Sequence, residues 1–586
     1  MIMNTTTKKA GSKVKAENRY PKIYKDAVRN NFSFLKQTIK VEDLFAKSIP
    51  LTLEGGALVP LCELHAADKA LLEKLVHWRK AYASLYSTKV PATAAGVKKW
   101  CMDLYKAKDS ILFLIVDLSG NAIGHIGITG AINNNGEMEI ENAVLGSNGL
   151  QSGILSNAVK ALIKWALEIV FPQIISVKVA GSDTRAIDFY KKLSFAKDGK
   201  KTGKTPLRMV YAPAKIKKAK EIILTAGPSI SAREMSYTQD AARYGWNHQM
   251  DKYLKRLEAQ FAEYVGTKYA IPTSCCTGAL HLAVAACGIG PGDEVIVPET
   301  TWVATANSAI YNGATPIFAD IQSDSWCMDP DSFESLITKR TKAVMPVHLY
   351  GHPAEMDRIM AIARKHHLHV IEDAAPAIGT EFKGQKTGSF GDFAAFSFQG
   401  AKMLVSGEGG MLVTSNDELY KKVYSLWDQG RTPGTFWINE VGWKYKMSNL
   451  SAALVLGQLE RSDEMIEKKR TIFSWYAEGL KGVPHIKLNY ETPWARSICW
   501  MSSIFLDPKA GITRDGLREA LKKLNVDTRP VFPAISQYPM WPRKQEMKPV
   551  AKLVGEQSIN LPSGVCLKHE QVDYICDCMR KILGKL

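Results

Sequence analysis

The spacing of apolar and polar residues divides the chain into two regions with different rhythms. Between 51 and 212, SILFLIVD at 110–117, the turn LSGN, then AIGHIGITG and EMEIENAVL at 137–145 follow the period-two pattern of strands. ADKALLEKLVHWRKAYASLY, the run from about Gly153 through Ile169, and TRAIDFYKKLSF have the 3.6-residue spacing of amphipathic helices, with IISVKVAG as a strand between the last two. This is the pattern of a compact mixed α/β domain ending near 212.

From about 250 the pieces alternate regularly. YAIP precedes CTGALHLAVAACG, EVIVP precedes TWVATANSAIYNG, and TPIFAD precedes a helix around DSFESLI; KAVMPVHLY then precedes EMDRIMAIARKHH, and LHVIED follows. Strand–helix alternation predicts a largely parallel sheet covered on both faces. Amphipathic segments at 451–479 and 513–523 and a strand near 502–506 predict a smaller terminal lobe. The expected divisions are a basic polar extension over 1–50, a domain over 51–212, a Lys- and Ala/Pro-rich connector over 213–221, and a large domain with its lobe over 222–586.

Composition is ordinary for a globular chain of 586 residues, 46% apolar and 23% charged. The net charge of +18 would suggest nucleic acid if it covered one face, but residues 1–40 carry +8 and 191–221 carry +9, leaving the rest nearly balanced. No nucleic-acid partner is expected. The longest apolar stretches fall short of a membrane span, so no integral membrane partner is expected either. Ten cysteines without paired C-x-x-C units suit a reduced, cytoplasmic setting better than a disulfide framework or zinc ribbon.

The densest chemistry lies in VIEDAAPAIGTEFKGQKTGSFGDFAAFSFQGAKMLVSGEGGML, residues 370–412. Asp373 ends a buried strand. Lys402 follows a strand ending at Ser397-Phe398 and precedes the turn Gly407-Glu408-Gly409-Gly410. A carboxylate can keep a pyridine nitrogen protonated, and a lysine amine can hold an aldehyde covalently; together they meet the needs of pyridoxal phosphate chemistry. Cys276 and Thr277 open a helix after a strand, where free amides and a hydroxyl can receive phosphate. Trp302 follows another strand, where an indole can stack on a ring. All would share the carboxyl edge of the sheet, where ligands of open α/β sheets collect. Without that shared edge, Thr277 reads as a helix cap and Trp302 as a core aromatic. His348 and His352 have i, i+4 spacing, but PVHLYGHP reads as a strand end and turn, so no metal site is expected. His348 or Tyr350 is a candidate substrate-side wall.

On these motifs, with GPGDEVIVPETTWVATANSAIYNGATPIFADI, GWKYKMSNLSAALVLGQLE and DTRPVFPAISQYP, residues 222–586 resemble the DegT/DnrJ/EryC1/StrS sugar aminotransferases, a branch of the fold-type I pyridoxal phosphate enzymes. The resemblance implies pyridoxal 5'-phosphate as cofactor. Lys402 would be its covalent anchor and proton carrier, Asp373 the pyridinium partner, Trp302 the stacking residue, and Cys276, Thr277 and Ser397 the phosphate cradle. It further implies L-glutamate as amino donor, a nucleotide-linked 4-keto-6-deoxyhexose as acceptor, and a homodimer in which the loop Gly442-Trp443-Lys444-Tyr445 reaches the partner's cofactor phosphate. Lys444 stands where the family often has Asn. Arg529 occupies a family-like loop position suited to an anionic substrate group.

Residues 51–212 resemble the GNAT-type N-acetyltransferases through SNGLQSGILSNAVKALIKWAL and GSDTRAIDFYKKLSF. Gly149 and Gly153 would let helix-start amides approach the pyrophosphate of acetyl-CoA, although Leu150 and Leu155 depart from the family's pattern around the central glycine. Tyr190 is placed to protonate the departing thiolate, and one of Glu139 and Glu141, on one strand face, to deprotonate an incoming amine through water, the other facing solvent. The fusion implies consecutive steps, amination of a nucleotide-linked sugar and N-acetylation of the 4-amino group. The competing readings are an aminotransferase carrying a noncatalytic GNAT-like module, or a noncatalytic sugar-binding scaffold.

Overall fold

The computed structural model describes residues 20–38, 41–51, 56–82, 90–146, 153–198 and 206–584. An amino-terminal mixed-sheet domain precedes a large α/β domain with a smaller terminal lobe, the architecture the patterning predicts. The first sheet has eight strands, in the order Ile49–Pro50, Ala57–Pro60, Ile111–Val116, Ala122–Thr129, Glu137–Leu145, Ile174–Val179, Leu207–Tyr211 and Phe195–Lys197. Neighbours are antiparallel except Glu137–Leu145 and Ile174–Val179, which are parallel and pair only over Glu137–Ile140 before parting. A register shift opposite Asn142, whose φ of 54° is left-handed, bends the first of these strands at the parting point.

Alternation sorts Ile111, Phe113 and Ile115 into one core and Leu112 and Leu114 into another on the opposite sheet face. The first core contains a helix that the charge pattern of residues 1–50 conceals. Tyr20–Lys36 is helical, and its buried positions Tyr24, Ala27, Val28, Asn31, Phe32 and Leu35 recur at helical spacing. Its lysines occupy the other face, apart from Lys36, whose ammonium is buried on the carbonyls of Leu104, Ala107 and Ser110. Residues 20–36 are therefore core, not polar extension. The run through Ile169 also changes character: the α-helix Ile154–Trp165 gives way to a π-helical turn, Ala166–Val170.

The large domain carries seven strands in the order Thr315–Ala319, Glu294–Pro298, Thr341–Val344, His369–Asp373, Phe393–Ser397, Gly410–Thr414 and Tyr269–Thr273. All are parallel except Gly410–Thr414, which runs against both neighbours. Val295, Val297, Ala343, Ile371 and Phe393 enter the core on one face and Ile296, Val344, Val370 and Ala394 that on the other. This two-sided burial explains continuous apolar runs in place of alternation. The lobe joins four short strands to the helices Ser462–Gly479, Arg514–Lys522 and His569–Leu583. Ile223, just past the connector, bridges to Val526 of this lobe.

The two domains touch through the first helix. Asn31 Nδ2 reaches Glu464 at 3.4 Å, and Phe34 meets Tyr237 edge-on at 6.2 Å with the Arg233 guanidinium 5.0 Å from its ring. Phe32→Ala should therefore lower the denaturation midpoint of the amino-terminal domain, at a cost of about 3–5 kcal/mol. Arg29→Ala, on the exposed face of the same helix, should stay within about 0.5 kcal/mol of wild type. Urea unfolding followed by circular dichroism measures both.

Candidate active sites

Parallel strands bring their carboxyl ends to one edge. Asp373 ends His369–Asp373, Ser397 ends Phe393–Ser397, Thr273 leads into the helix Cys276–Ala286, and Gly410 opens the antiparallel strand between Ser397 and Thr273. Gly410 is obligatory, since a Cβ there would lie 2.6 Å from the carbonyl carbon of Cys275 and the nitrogen of Cys276. The turn between Phe398 and Gly409 carries Lys402 and is tied by Phe398 N–H to Gly409 O at 2.9 Å and Gly400 N–H to Gly407 O at 3.0 Å.

Asp373 is buried, with 5% exposure. One oxygen accepts from Thr305 Oγ1 at 2.7 Å and the other from Ala375 N–H at 3.1 Å. Thr305 has one proton to give, so its oxygen in turn accepts from Thr301 at 2.8 Å. Burial raises the Asp373 pKa, with Thr305, the Ala375 amide and Lys402 opposing. Lys402 is half-buried as a residue, but its amine is enclosed enough that burial lowers its pKa, with Asp373 and Cys276 opposing. Burial raises the Cys276 thiol, and the Asp373 charge adds to that. Lys402, Asp373 and Cys276 therefore share one electrostatic environment. A lysine depressed by burial holds more of its amine neutral, the form that attacks carbonyl carbon.

The Lys402 amine lies 4.0 Å from the centre of the Trp500 ring. Trp500 is fixed by its indole N–H on Ala401 O at 3.0 Å, its backbone N–H on Tyr350 O at 3.0 Å, and Lys469 donating to its carbonyl at 2.5 Å. Tyr350 lies between Trp500 at 5.8 Å and Phe532 at 5.5 Å, both stacked, and Phe532 leads to Trp302 at 5.7 Å. Four aromatic rings thus run from the lysine to Trp302, which is 61% exposed at the rim. Tyr350 holds a left-handed φ of 52°, a costly conformation for a bulky residue, stabilised by both stacks and by Phe532 N–H donating to its hydroxyl at 3.1 Å.

His348 and Tyr350 are both buried. His348 is fully buried: Ala354 N–H donates to its Nδ1 at 3.1 Å, so Nε2 carries the proton and donates to Glu372 at 2.9 Å. Tyr350 is 3% exposed and serves as a plate beneath Trp500 and Phe532. Arg529 is exposed and faces Asp527 at 3.6 Å. His352 bonds Pro353 O and Thr492, and no cluster of metal ligands occurs among the described residues.

The groups at the sheet edge fit pyridoxal phosphate. The amides of Cys276 and Thr277 donate to no described residue, while Cys275 Sγ takes the Gly278 amide at 3.3 Å. An 11-residue helix thus opens with two unused donors, as a phosphate requires. Ser397 stands beside it, Asp373 supplies a buried anion for a pyridinium, and Lys402 an enclosed amine. Tyr445 packs on this helix start in its own chain, its carbonyl accepting from Ser274 N–H at 2.6 Å and its hydroxyl meeting His281 Nδ1 at 3.1 Å. Lys444 is exposed on the same loop.

In the amino-terminal domain Gly153, with φ of 125°, caps the helix Ile154–Trp165 without a side-chain bond. Gly149 lies outside the described residues. Tyr190 packs between Phe189 and Phe195 at 5.2 and 5.4 Å, and burial raises its phenol to about 12, so it stays protonated at neutral pH. Glu139 is held by Lys178 at 2.7 Å. Glu141 stands one residue past the last parallel pair, where the strands part.

Residues 228–580 match the model of the DegT/DnrJ/EryC1/StrS aminotransferase family, and residues 72–195 that of the GNAT acetyltransferase family. The chain is 39% identical to the GDP-perosamine synthase of Caulobacter vibrioides over 370 residues, covering 62% of this chain and 98% of that one. It is 39% identical to the enzyme of the same name from Escherichia coli O157:H7 over 355 residues, covering 60% and 96%. The solved aminotransferase from Psychrobacter cryohalolentis superposes with a TM-score of 0.58 at 27% identity, covering 61% and 98%.

Thr305, Trp500 and Glu372 carry no sequence signal of their own. Thr305→Val removes a hydrogen bond that lowers the Asp373 pKa, so the carboxyl should ionise only at higher pH. Loss of pyridoxal phosphate binding on the acidic side, followed by tryptophan fluorescence, should set in at higher pH than in the wild type.

Proposed function

Because the chain belongs to the DegT/DnrJ/EryC1/StrS aminotransferase family, we propose that residues 222–586 transfer the amino group of L-glutamate to C4 of a nucleotide-linked 4-keto-6-deoxyhexose. Residues 51–212 then acetylate that amine from acetyl-CoA. The observation that carries the reading is the meeting of Lys402, Asp373 and Cys276 at one sheet edge.

Bound pyridoxal phosphate supplies a ring that takes up the electron pair left when an α-proton departs. Asp373, fixed by Thr305 and Ala375, orients the pyridine nitrogen and keeps it protonated. The helix start at Cys276-Thr277, with Ser397, holds the phosphate. Lys402 Nζ anchors the aldehyde, takes a proton from the α-carbon of glutamate and delivers one to C4 of the sugar. The Trp500 face gives the released amine a fixed resting place, attracting it as a cation. Trp302, at the rim, is the candidate for stacking on the ring.

A homodimer suits this arrangement. Phe436, Trp437 and Val441, beside Lys444, are 96%, 71% and 88% exposed, an apolar loop a second subunit would cover. Lys444 would then meet the partner's cofactor phosphate as a point charge. In the acetyltransferase domain, the Gly153 helix start receives the pyrophosphate of acetyl-CoA, Tyr190 protonates the leaving sulfur, and Glu139 or Glu141 takes the proton of the amine.

Lys402→Ala should abolish sugar amination, read as 2-oxoglutarate release, while leaving acetylation of supplied 4-amino sugar intact. Tyr190→Phe should do the reverse, slowing CoA release about tenfold, equivalent to ~1.4 kcal/mol, with amination unchanged. No acetylation of any 4-amino sugar nucleotide by the wild-type chain would leave the amino-terminal domain a noncatalytic module. Mixing Lys402→Ala with Lys444→Glu subunits should restore amination through one intact composite site; verified exchange without recovery would reject the shared site.

A further inference from the structure

A cavity of about 490 Å³ lies where the amino-terminal domain meets the terminal lobe. Tyr20, Val170 and Phe171 line one side; Lys468 and Trp475 line the other, with Lys568 and the start of the helix His569–Leu583. It is separate from both catalytic constellations. Phe171 follows the carboxyl end of the helical run that Gly153 opens, and none of the sheet-edge residues around Lys402 borders the cavity.

Lys468 is 8% exposed, with its ammonium 4.6 Å from the Trp475 ring and 5.4 Å from that of Phe171. No described residue accepts a hydrogen bond from it or lies within ion-pair distance. Burial holds its amine down, to about 8, with Glu570 and Glu168 opposing and Lys568 reinforcing. A cation kept out of water without a counter-ion is costly unless something supplies one.

A second feature beside it points the same way. The 15-residue helix His569–Leu583 begins with Lys568, whose side chain makes no cap, and the amides of His569 and Glu570 donate to no described residue. Two free amides on the positive end of a helix, flanked by two unpaired lysines, are donors arranged for a phosphoryl group. Of the carboxylates lining the cavity, Glu467 is paired with Arg496 and burial raises the pKa of Glu464 to about 7. Glu570 and Asp573 remain to oppose an anion, against the two lysines and the helix start. The volume far exceeds a phosphate ion and falls within the roughly 300–1,000 Å³ of small organic ligand sites.

We propose that this junction binds an organic phosphate of about nucleotide size. Its phosphoryl group sits on Lys468, Lys568 and the helix start, and its organic part lies against Tyr20, Val170 and Phe171. Because the walls belong to different domains, occupancy ties the two together. A nucleoside diphosphate and the phosphorylated adenosine end of coenzyme A both present this chemistry.

Calorimetric titration of the full chain with GDP, with coenzyme A and with inorganic phosphate tests the proposal and separates the sources. GDP or coenzyme A should fill one more site per chain in the wild type than in Lys468→Gln. Lys568→Gln, at a half-buried position, should weaken that site about tenfold. Amination and acetylation rates should be unchanged in both variants. The ligand that loses a site identifies the source. The proposal is overturned if site number and affinity for GDP and coenzyme A are the same in wild type and both variants, or if inorganic phosphate alone fills the extra site.

Discussion

Two consecutive carboxylates at the end of one strand set the terms for the rest of the large domain. Glu372 and Asp373 point to opposite sides of the sheet, both out of water. Each needs a full set of donors or its charge would cost several kcal/mol. Glu372 receives the amides of Gly388, Phe390 and Gly391 at 2.7–2.8 Å and the imidazole of His348 at 2.9 Å. Those amides fix the loop that leads back into Phe393–Ser397, hence the position of Ser397 and the turn carrying Lys402. Asp373 has only Thr305 and Ala375, and remains able to take a further cation. One carboxylate is saturated and holds the scaffold, and its neighbour is left short of donors, as the proposed chemistry requires.

The aromatic file behind Lys402 extends the same logic to the amine. In the proposed role Lys402 alternates between bound and released states and needs a defined place in the released one. The Trp500 face provides it, while burial keeps the amine's pKa depressed. The strain at Tyr350 is the cost of stacking Trp500 and Phe532 on one ring, and Lys469 fixes the Trp500 backbone from behind.

The sheet edge was legible because parallel strands write their ends into the sequence: Asp373, Ser397 and the turn before the Cys276 helix each follow an apolar run. What stayed hidden was whatever depends on pairing across the fold. Thr305 meets Asp373 from 68 positions away and Trp500 meets Ala401 from 99, with no local pattern marking either. His348 and Tyr350 read as polar side chains near a strand end, while their burial follows from Glu372 and the two stacks, which only the fold assembles. The helix Tyr20–Lys36 was obscured differently: its lysines dominate a charge count, whereas its buried positions emerge only at helical spacing. The parting strands at Glu141 were legible as strands but not as a wedge, because the register shift at Asn142 leaves no mark in hydrophobicity.

That first helix also imposes an order on biosynthesis. It is made before either sheet and can settle on its own sheet once the strands through Leu207–Tyr211 have followed. Its outward side waits longer, since the Asn31 amide finds Glu464 only after the ribosome has added 433 more residues. Until Tyr237 and Arg233 have followed, Phe34 also lacks its partners across the junction, a period when a nascent chain is open to association with other nascent chains or to chaperone capture. The junction between the two domains is therefore the last packing event of a helix made before either sheet, and its completion marks the moment at which both domains stand together.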